Sequence, residues 1–424
     1  MDKRFFKLFN LTEDEAIAIL DTPLDRLGEE DSRYIAASHL VNFPTDRSIS
    51  ALSRAVQNTD PSLDNRIVRR KSIETLGRLQ ATSTLSVIRA CLADDDCYTV
   101  ENAVWAIGEI GTEDSEILEE MAQLLDKPGQ TYRVILHTLA KLNYKPAIDR
   151  IRPFVENEDK TIASAAIAAI CRLTGDTTGM EQAIAFLQHP NAYARRLCIQ
   201  DFIDTQYYDA IPEIARCPVS LVFRLRGIRS LAQAGQKEGS IALEEILPSI
   251  DRVIRDRPQD LDLVHEYDRF PLLDFLVREL YKTDFGRCYL ASKMLLEAYA
   301  TEAPTALMQT YQDEAHNDYG AHYHVIKVLG WLRYTPAYDL LVEALHNREP
   351  QFQKSRAAAA IALGELADTR AIGDLKACLE TQIWDLKYAA LLALEKLGDT
   401  SGCEIAANDS DWLVRAKAKI VKSQ

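Results

Sequence analysis

No apolar run in this chain approaches the roughly 20 residues that a membrane-spanning helix requires. The opening, M-D-K-R-F-F-K-L-F-N-L-T-E-D-E, is too charged, and its apolar run too short, for a secretory signal peptide. No C-x-x-C pair occurs among the eight cysteines (91, 97, 171, 198, 217, 288, 378 and 403), which argues against a zinc or disulfide framework. Several of them, Cys171 for one, fall on apolar helix positions, where a free thiol behaves as a small hydrophobe. Reduced thiols without an export signal point to the cytoplasm. Positive charge is also short: 49 Lys and Arg stand against 64 Asp and Glu, for a net charge of −15 and a pI near 5.1. Such a balance excludes nucleic acid as the main partner, because phosphate binding needs a basic surface.

What the chain does have is repetition. The stretch Val100–Gly111, V-E-N-A-V-W-A-I-G-E-I-G, reads as one helix, with Val100, Ala103, Val104, Ile107 and Ile110 lining one face of a 3.6-residue period. Ala103, Ala106 and Gly108 are small where a neighbouring backbone must come close, and Gly111 supplies a positive-φ stop. The wording returns at positions equivalent to Gly108: Gly77, Ala140, Cys171, Ile203 and Ala232, then Gly330, Gly364 and Glu395. Successive steps are 31, 32, 31, 32 and 29 residues, then 34 and 31 in the later block. A fixed period of this size predicts stacked helix pairs, an all-α, α/α solenoid of HEAT-like repeats, curved with a concave inner surface.

Along that solenoid, residues 1–30 read as a helical cap, with Thr12 and Glu15 at capping-box spacing and Thr22-Pro23 as the stop. Regular repeats occupy 31–235, an irregular helical segment 236–315, and regular repeats again 316–424, all as one continuous solenoid. Leu243–Ile254, Phe270–Lys282 and Cys288–Ala300 still look like amphipathic helices in the irregular part. That part is either divergent repeats on a longer connection or a bend that helps form a cavity.

Inner helices of such arrays line the binding surface. Eight residues before each anchor lie Arg69, Val100, Tyr132, Ala163, Arg195, Arg224, His322, Arg356 and Lys387, mostly cationic in an acidic chain. Two readings are open. The row faces an anionic ligand, or each arginine pairs with an acidic residue of the adjacent turn. The segment His316-Asn317-Asp318-Tyr319-Gly320-Ala321-His322-Tyr323-His324 gathers three of the eight histidines and two tyrosines at the start of an inner helix. Asp318 could cap that helix and Gly320 permit its tight entry. The same residues could equally surround a ligand as proton donors and acceptors. Metal chelation by His322 and His324 is disfavoured, since residues two apart on a helix point about 200° apart. Trp105 suits packing between helices or stacking on a ligand, and Tyr98 suits exposure to one. Asp94-Asp95-Asp96 reads as a solvated helix boundary.

The repeat wording, especially N-A-V-W-A-I-G-E-I-G (102–111), resembles the HEAT-like repeats of cyanobacterial phycobilin lyases of the E/F type. The resemblance includes the opening R-F-F-K-L-F-N-L-T-E-D-E-A (4–16) and H-N-D-Y-G-A-H-Y-H (316–324), and is strongest to the lyases and lyase-isomerases that act on α-phycoerythrin. It implies an enzyme with no permanently bound cofactor that takes phycoerythrobilin as substrate. The bilin would be joined by a thioether to a cysteine of a phycoerythrin α subunit, with isomerisation to phycourobilin as a further activity. Asp318, Tyr319 and His322 would be its catalytic residues. Arg195, Arg224, Tyr132, Tyr98, His324 and Trp105 would contact the bilin, the two arginines through its propionates. A non-catalytic HEAT-repeat scaffold or pigment chaperone is the competing reading. A HEAT-repeat metal hydroxylase is disfavoured, because this chain has a single His-Glu pair, His265-Glu266.

Overall fold

A computed structural model describes residues 11–423. The segment 4–10 of the opening lies outside the described residues. Among those described every regular element is helical. The contacts divide the chain into two compact units, Met1–Met180 and Glu181–Gln424. This boundary falls inside the stretch that the sequence reads as uninterrupted repeats.

In the first unit, helix α1 (Glu13–Asp21) starts with the expected capping box: Glu15 N–H donates to Thr12 Oγ1 at 3.3 Å and Thr12 N–H to Glu15 Oε2 at 2.8 Å. The inner helices are α2 (Arg33–His39), α3 (Leu63–Arg78), α4 (Cys97–Ile110), α5 (Tyr132–Lys141) and α6 (Lys160–Thr174), each packed on the next. Outer helices such as Asp46–Gln57 and Ser115–Gln123 lie between them in sequence. Hydroxyl and acidic caps start four of these inner helices: Ser32 and Ser62 cap α2 and α3, Asp96 takes Thr99 N–H at 3.2 Å and Asp159 takes Thr161 N–H at 2.8 Å. Gly111 ends α4 at φ 81°, and its N–H closes on Ile107 O.

The second unit continues the pattern with α7 (Ala192–Thr205) and α8 (Leu221–Glu238). Helix α9 (Leu243–Arg255) then breaks it. Besides packing on α8 and on the outer helix Ile211–Arg216, α9 packs on three inner helices from much later in the chain, α12 (Gln353–Leu366), α13 (Trp384–Lys396) and α14 (Trp412–Ser423). Polar ties fix it there. Asp251 of α9 accepts from Tyr388 Oη at 2.6 Å and from Lys417 Nζ at 3.0 Å. Arg229 of α8 meets Asp411, just ahead of α14, at 2.6 Å.

The segment expected to be irregular holds one complete helix pair and the outer helix of a second. Helix α10 (Phe285–Ala298) follows the outer helix Leu273–Glu279, and α11 (Ala321–Trp331) follows the outer helix Ala303–Asp313. Inner helices α10 to α14 then stack in order. Their small residues permit close approach: a Cβ on Gly330 would lie 2.6 Å from Ala362 Cα, closer than packed atoms tolerate. With outer helices on one side and α9 on the other, the α12 residues Lys354–Leu366 are buried without interruption.

Candidate functional site

The cationic register resolves in favour of structure. Arg33, Arg69, Arg224 and Arg356 each send Nε back to a carbonyl near the end of the preceding outer helix or turn: Leu20 O (3.2 Å), Val56 O (2.7 Å), Val219 O (3.0 Å) and Leu345 O (2.9 Å). These carbonyls lack intrahelical partners, and a guanidinium satisfies them while complementing the helix dipole. Arg195, 0 % exposed, binds the carbonyls of His189 (2.7 Å), Pro190 (2.9 Å) and Pro218 (3.2 Å) and the Asp284 carboxylate at 2.6 Å. Arg224, equally buried, pairs with Asp256 and takes Ala215 O at 3.2 Å. Lys387 meets Asp409 at 2.7 Å. The expectation that Arg195 and Arg224 present guanidinium forks to propionates is therefore corrected: their terminal nitrogens are taken by backbone carbonyls and by the carboxylates of Asp284 and Asp256.

Three expected ligand contacts belong to the first unit. Tyr98 is 56 % exposed, with the Arg70 guanidinium 4.9 Å from its ring centroid. Arg70 in turn is gripped at both ends by Asp96, at 2.7 and 2.6 Å. Trp105 is half-buried and packs against Gly77 of the neighbouring inner helix. Tyr132 donates its hydroxyl to Lys127 O at 2.8 Å and leans on Phe154 at 4.8 Å, which makes it a packing residue.

The chemistry of the second unit gathers at the end of α9. Asp256, held at φ 51° in the left-handed cap position, is fully buried. It takes both Arg224 and the hydroxyl of Tyr323, and the hydroxyl of Tyr289 at 2.9 Å. Burial and this carboxylate push both phenols well above their ordinary pKa, so they remain protonated donors. Lys327 donates to Arg255 O, and burial pulls its ammonium down to about 8. His324 stands among Phe285 (4.7 Å), Tyr289 (5.3 Å) and Tyr323 (5.2 Å), fully buried, with neither ring nitrogen hydrogen-bonded. Burial keeps its pKa far below the usual histidine value, so it is neutral packing rather than a surface contact for a ligand.

The segment before α11 divides in two. Asp318 Oδ1 caps the helix by accepting from Gly320 N–H (2.8 Å) and Ala321 N–H (2.7 Å), while its carboxylate stays half-exposed. Tyr319 is 51 % exposed and makes no hydrogen bond with a described residue. His322 is buried, stacked on Phe352 at 4.2 Å, with Nε2 3.2 Å from Tyr311 Oη. Burial, helped by Lys354, lowers its pKa to about 4. It is a neutral imidazole at physiological pH, buried behind the turn rather than open to a ligand as expected of a catalytic residue. Directly under Tyr319 lies a residue that the sequence reading passed over. The Nζ of Lys354 on α12 is 3.4 Å from the Tyr319 ring centroid, buried, and has no hydrogen-bond acceptor.

Comparison with known proteins adds the family. A model of HEAT repeats matches residues 62–130, and a model of the PBS lyase HEAT-like repeat matches 355–381. An "Uncharacterized phycocyanin operon protein Y" of Pseudanabaena tenuis is 64 % identical over 98 % of this chain and 99 % of its own length. The bilin biosynthesis protein CpeY of a Synechococcus species is 34 % identical over 92 % of this chain and 98 % of its own. This chain belongs to the E/F-type HEAT-repeat phycobilin lyase family. More distantly, the phycocyanobilin lyase subunit alpha of Synechococcus elongatus is 26 % identical, matching 96 % of its length to 57 % of this chain. Among solved structures, the CpcE–CpcF complex of phycocyanin lyase from Nostoc aligns with a TM-score of 0.49 at 24 % identity, over 57 % of this chain and 95 % of that one.

Within this lyase-family chain, then, the second unit brings together Asp318, Tyr319 and Lys354 at a half-exposed turn, backed by the buried set His322, Tyr323, His324, Tyr289 and Asp256. A separate cavity of about 360 Å³ in the same unit is lined by Arg257, Gln259, Leu296, Trp331, Arg333 and Glu365. Lys354 was legible only as a lysine opening a helix of small apolar residues, Ala357–Leu366. Asp256 had no local signal at all, because its partners lie 32, 33 and 67 residues away.

Proposed function

We propose that the chain is a phycobilin lyase that binds phycoerythrobilin and attaches it by a thioether bond to a cysteine of a phycoerythrin α subunit. Isomerisation to phycourobilin is a further activity read in the same assay. The observation that carries this reading is the half-exposed Asp318–Tyr319 turn, set on buried aromatics, in a chain whose relatives are named as bilin biosynthesis proteins and a phycocyanobilin lyase subunit. Length supports action as a single chain, since the subunit-alpha relative is matched almost completely by 57 % of this one.

In the reaction the acceptor thiol loses its proton, an S–C bond forms on ring A of the bilin, and a proton is added to the conjugated system. The nucleophile belongs to the acceptor. This agrees with the cysteines here, of which Cys217 and Cys288 have thiols pushed up to about 12 by burial and so are poor nucleophiles. Tyr319 is the proton donor: its phenol, raised by partial burial, is fully protonated at neutral pH and reaches solvent. The Asp318 carboxylate faces pyrrole N–H groups. His322 acts from behind, its stacking on Phe352 and contact with Tyr311 fixing the start of α11. The set orients the bilin against misdirected thiol addition. Such a protein works in the cytoplasm, where its acceptor is made.

Co-production with phycoerythrobilin and the α subunit of either phycoerythrin or phycocyanin tests the reading. Covalent pigment on α-phycoerythrin, found by mass spectrometry and absorbance, is expected, with at least a tenfold loss for Tyr319→Phe. Pigment on α-phycocyanin alone would move the acceptor assignment. Unmodified acceptor in every case would leave a scaffold or pigment chaperone as the function.

A further inference from the structure

Lys354 is the most exceptional polar group of the second unit. It is 5 % exposed, and its Nζ has no hydrogen-bond acceptor. Three aromatic faces surround the nitrogen: Tyr319 at 3.4 Å, Phe285 at 4.3 Å and Tyr323 at 5.3 Å to the ring centroids. Cation–π attraction recovers only part of the cost of burying an ammonium. No carboxylate of the described residues pairs with it. Asp256, beyond α9, is held by Arg224, Tyr289 and Tyr323. Asp318, in the turn before α11, spends Oδ1 on two backbone N–H groups. Cys288 on α10 keeps its proton, and the two α11 histidines, His322 and His324, are neutral. Phe285 and Tyr323 are buried, so the cover over the amine that reaches solvent is Tyr319, which no hydrogen bond holds in place.

We propose that Lys354 is the anchor for a carboxylate of the ligand, received when the Tyr319 ring moves aside. The inference rests on the bilin-lyase reading and names a propionate side arm of the linear tetrapyrrole as the group bound, in place of the expected Arg195 and Arg224. A carboxylate on a two-methylene arm can enter a cage closed by one ring, whereas a cysteine on a folded acceptor cannot. The cage also explains why the site tolerates being empty. Without a counter-ion the desolvated amine titrates at about 7, so much of it sheds its charge. An arriving carboxylate restores that charge, so binding takes up a proton. Affinity for the carboxylate ligand therefore falls as pH rises above about 7, by up to about tenfold per pH unit.

The test uses the full chain and two probes, biliverdin IXα and its dimethyl ester, titrated by absorbance between pH 6 and 9. The free acid should bind at least tenfold more tightly than the ester at pH 6.5, with the gap closing by pH 9. Lys354→Met should abolish the preference while leaving ester binding intact, and Lys354→Arg should keep the preference without its pH dependence. Equal binding of acid and ester by the native chain overturns the assignment and leaves the lyase reading standing. A preference that ignores pH or survives Lys354→Met also overturns it, pointing instead to a permanently charged partner such as Arg257 or Arg333. Failure of both probes to bind sinks the lyase reading and this inference together. If Lys354→Met does not fold, the acid–ester comparison on the native chain decides alone.

Discussion

The two units use the same repeat wording to opposite ends. In the first, α4 keeps Glu101, Asn102, Trp105 and Glu109 part-exposed, and its charges pair at or near the surface, as Arg70 does with Asp96 beneath an exposed Tyr98. In the second, α11, α12 and α13 are buried on nearly every face, because α9 covers the side that the first unit leaves open. Polar residues lie inside that unit as well: Arg224, Asp256, Lys327, His324 and Lys354. Buried polar groups cost stability unless paired, and persist where a structure or a ligand has use for them. The second unit thus carries a buried polar cluster where the first keeps its charges near the surface.

Several measurements would break or sharpen this contrast, most simply by hydrogen exchange resolved to each unit. The largest effect is expected from Asp256→Ala, which strands the buried Arg224 charge and two phenols. It should destabilise the second unit by about 3–5 kcal/mol and leave the exchange of α2 to α6 unchanged. Lys354→Met should act in the other direction, stabilising the second unit by about 1–3 kcal/mol while weakening ligand binding. Acidification gives a graded version. His322 and His324 are neutral in the fold, with pKa values lowered by burial, but in the unfolded chain they titrate near the ordinary value of about 6.5. Below that pH the unfolded state binds protons that the native state refuses. Stability of the second unit should therefore fall from pH 6.5 towards 5 by up to about 1.4 kcal/mol per pH unit for each histidine. At the small end, Tyr98→Ala removes an exposed ring over Arg70 and should cost the first unit less than about 1 kcal/mol.

Much was legible before any coordinates. The apolar spacing in Val100–Ile110 and its echoes at 29 to 34 residues specified the helices and their stacking order, and Thr12 with Glu15 specified the first cap. Between residues 273 and 331 the helices at 270–282 and 288–300 and the anchor Gly330 were read, but the outer helix Ala303–Asp313 was not, because the segments joining α9 to these pairs stretched the period. At the site, Asp318 and Tyr319 were readable as a polar aromatic turn, while His322 and His324 were misjudged as ligand-facing. A helix's own sequence fixes which face is apolar, but not whether a second element will cover the other one.

By itself, then, the sequence determined the all-α repeat architecture, the reduced-thiol chemistry and the family, since these depend on local periodicity, caps and composition. The tertiary structure alone decided that the register arginines close outer-helix ends, that α9 seals the later inner helices, and that an unpaired lysine lies beneath Tyr319. The last two turn on which groups meet across tens to more than a hundred residues, and burial acts only once those groups have met.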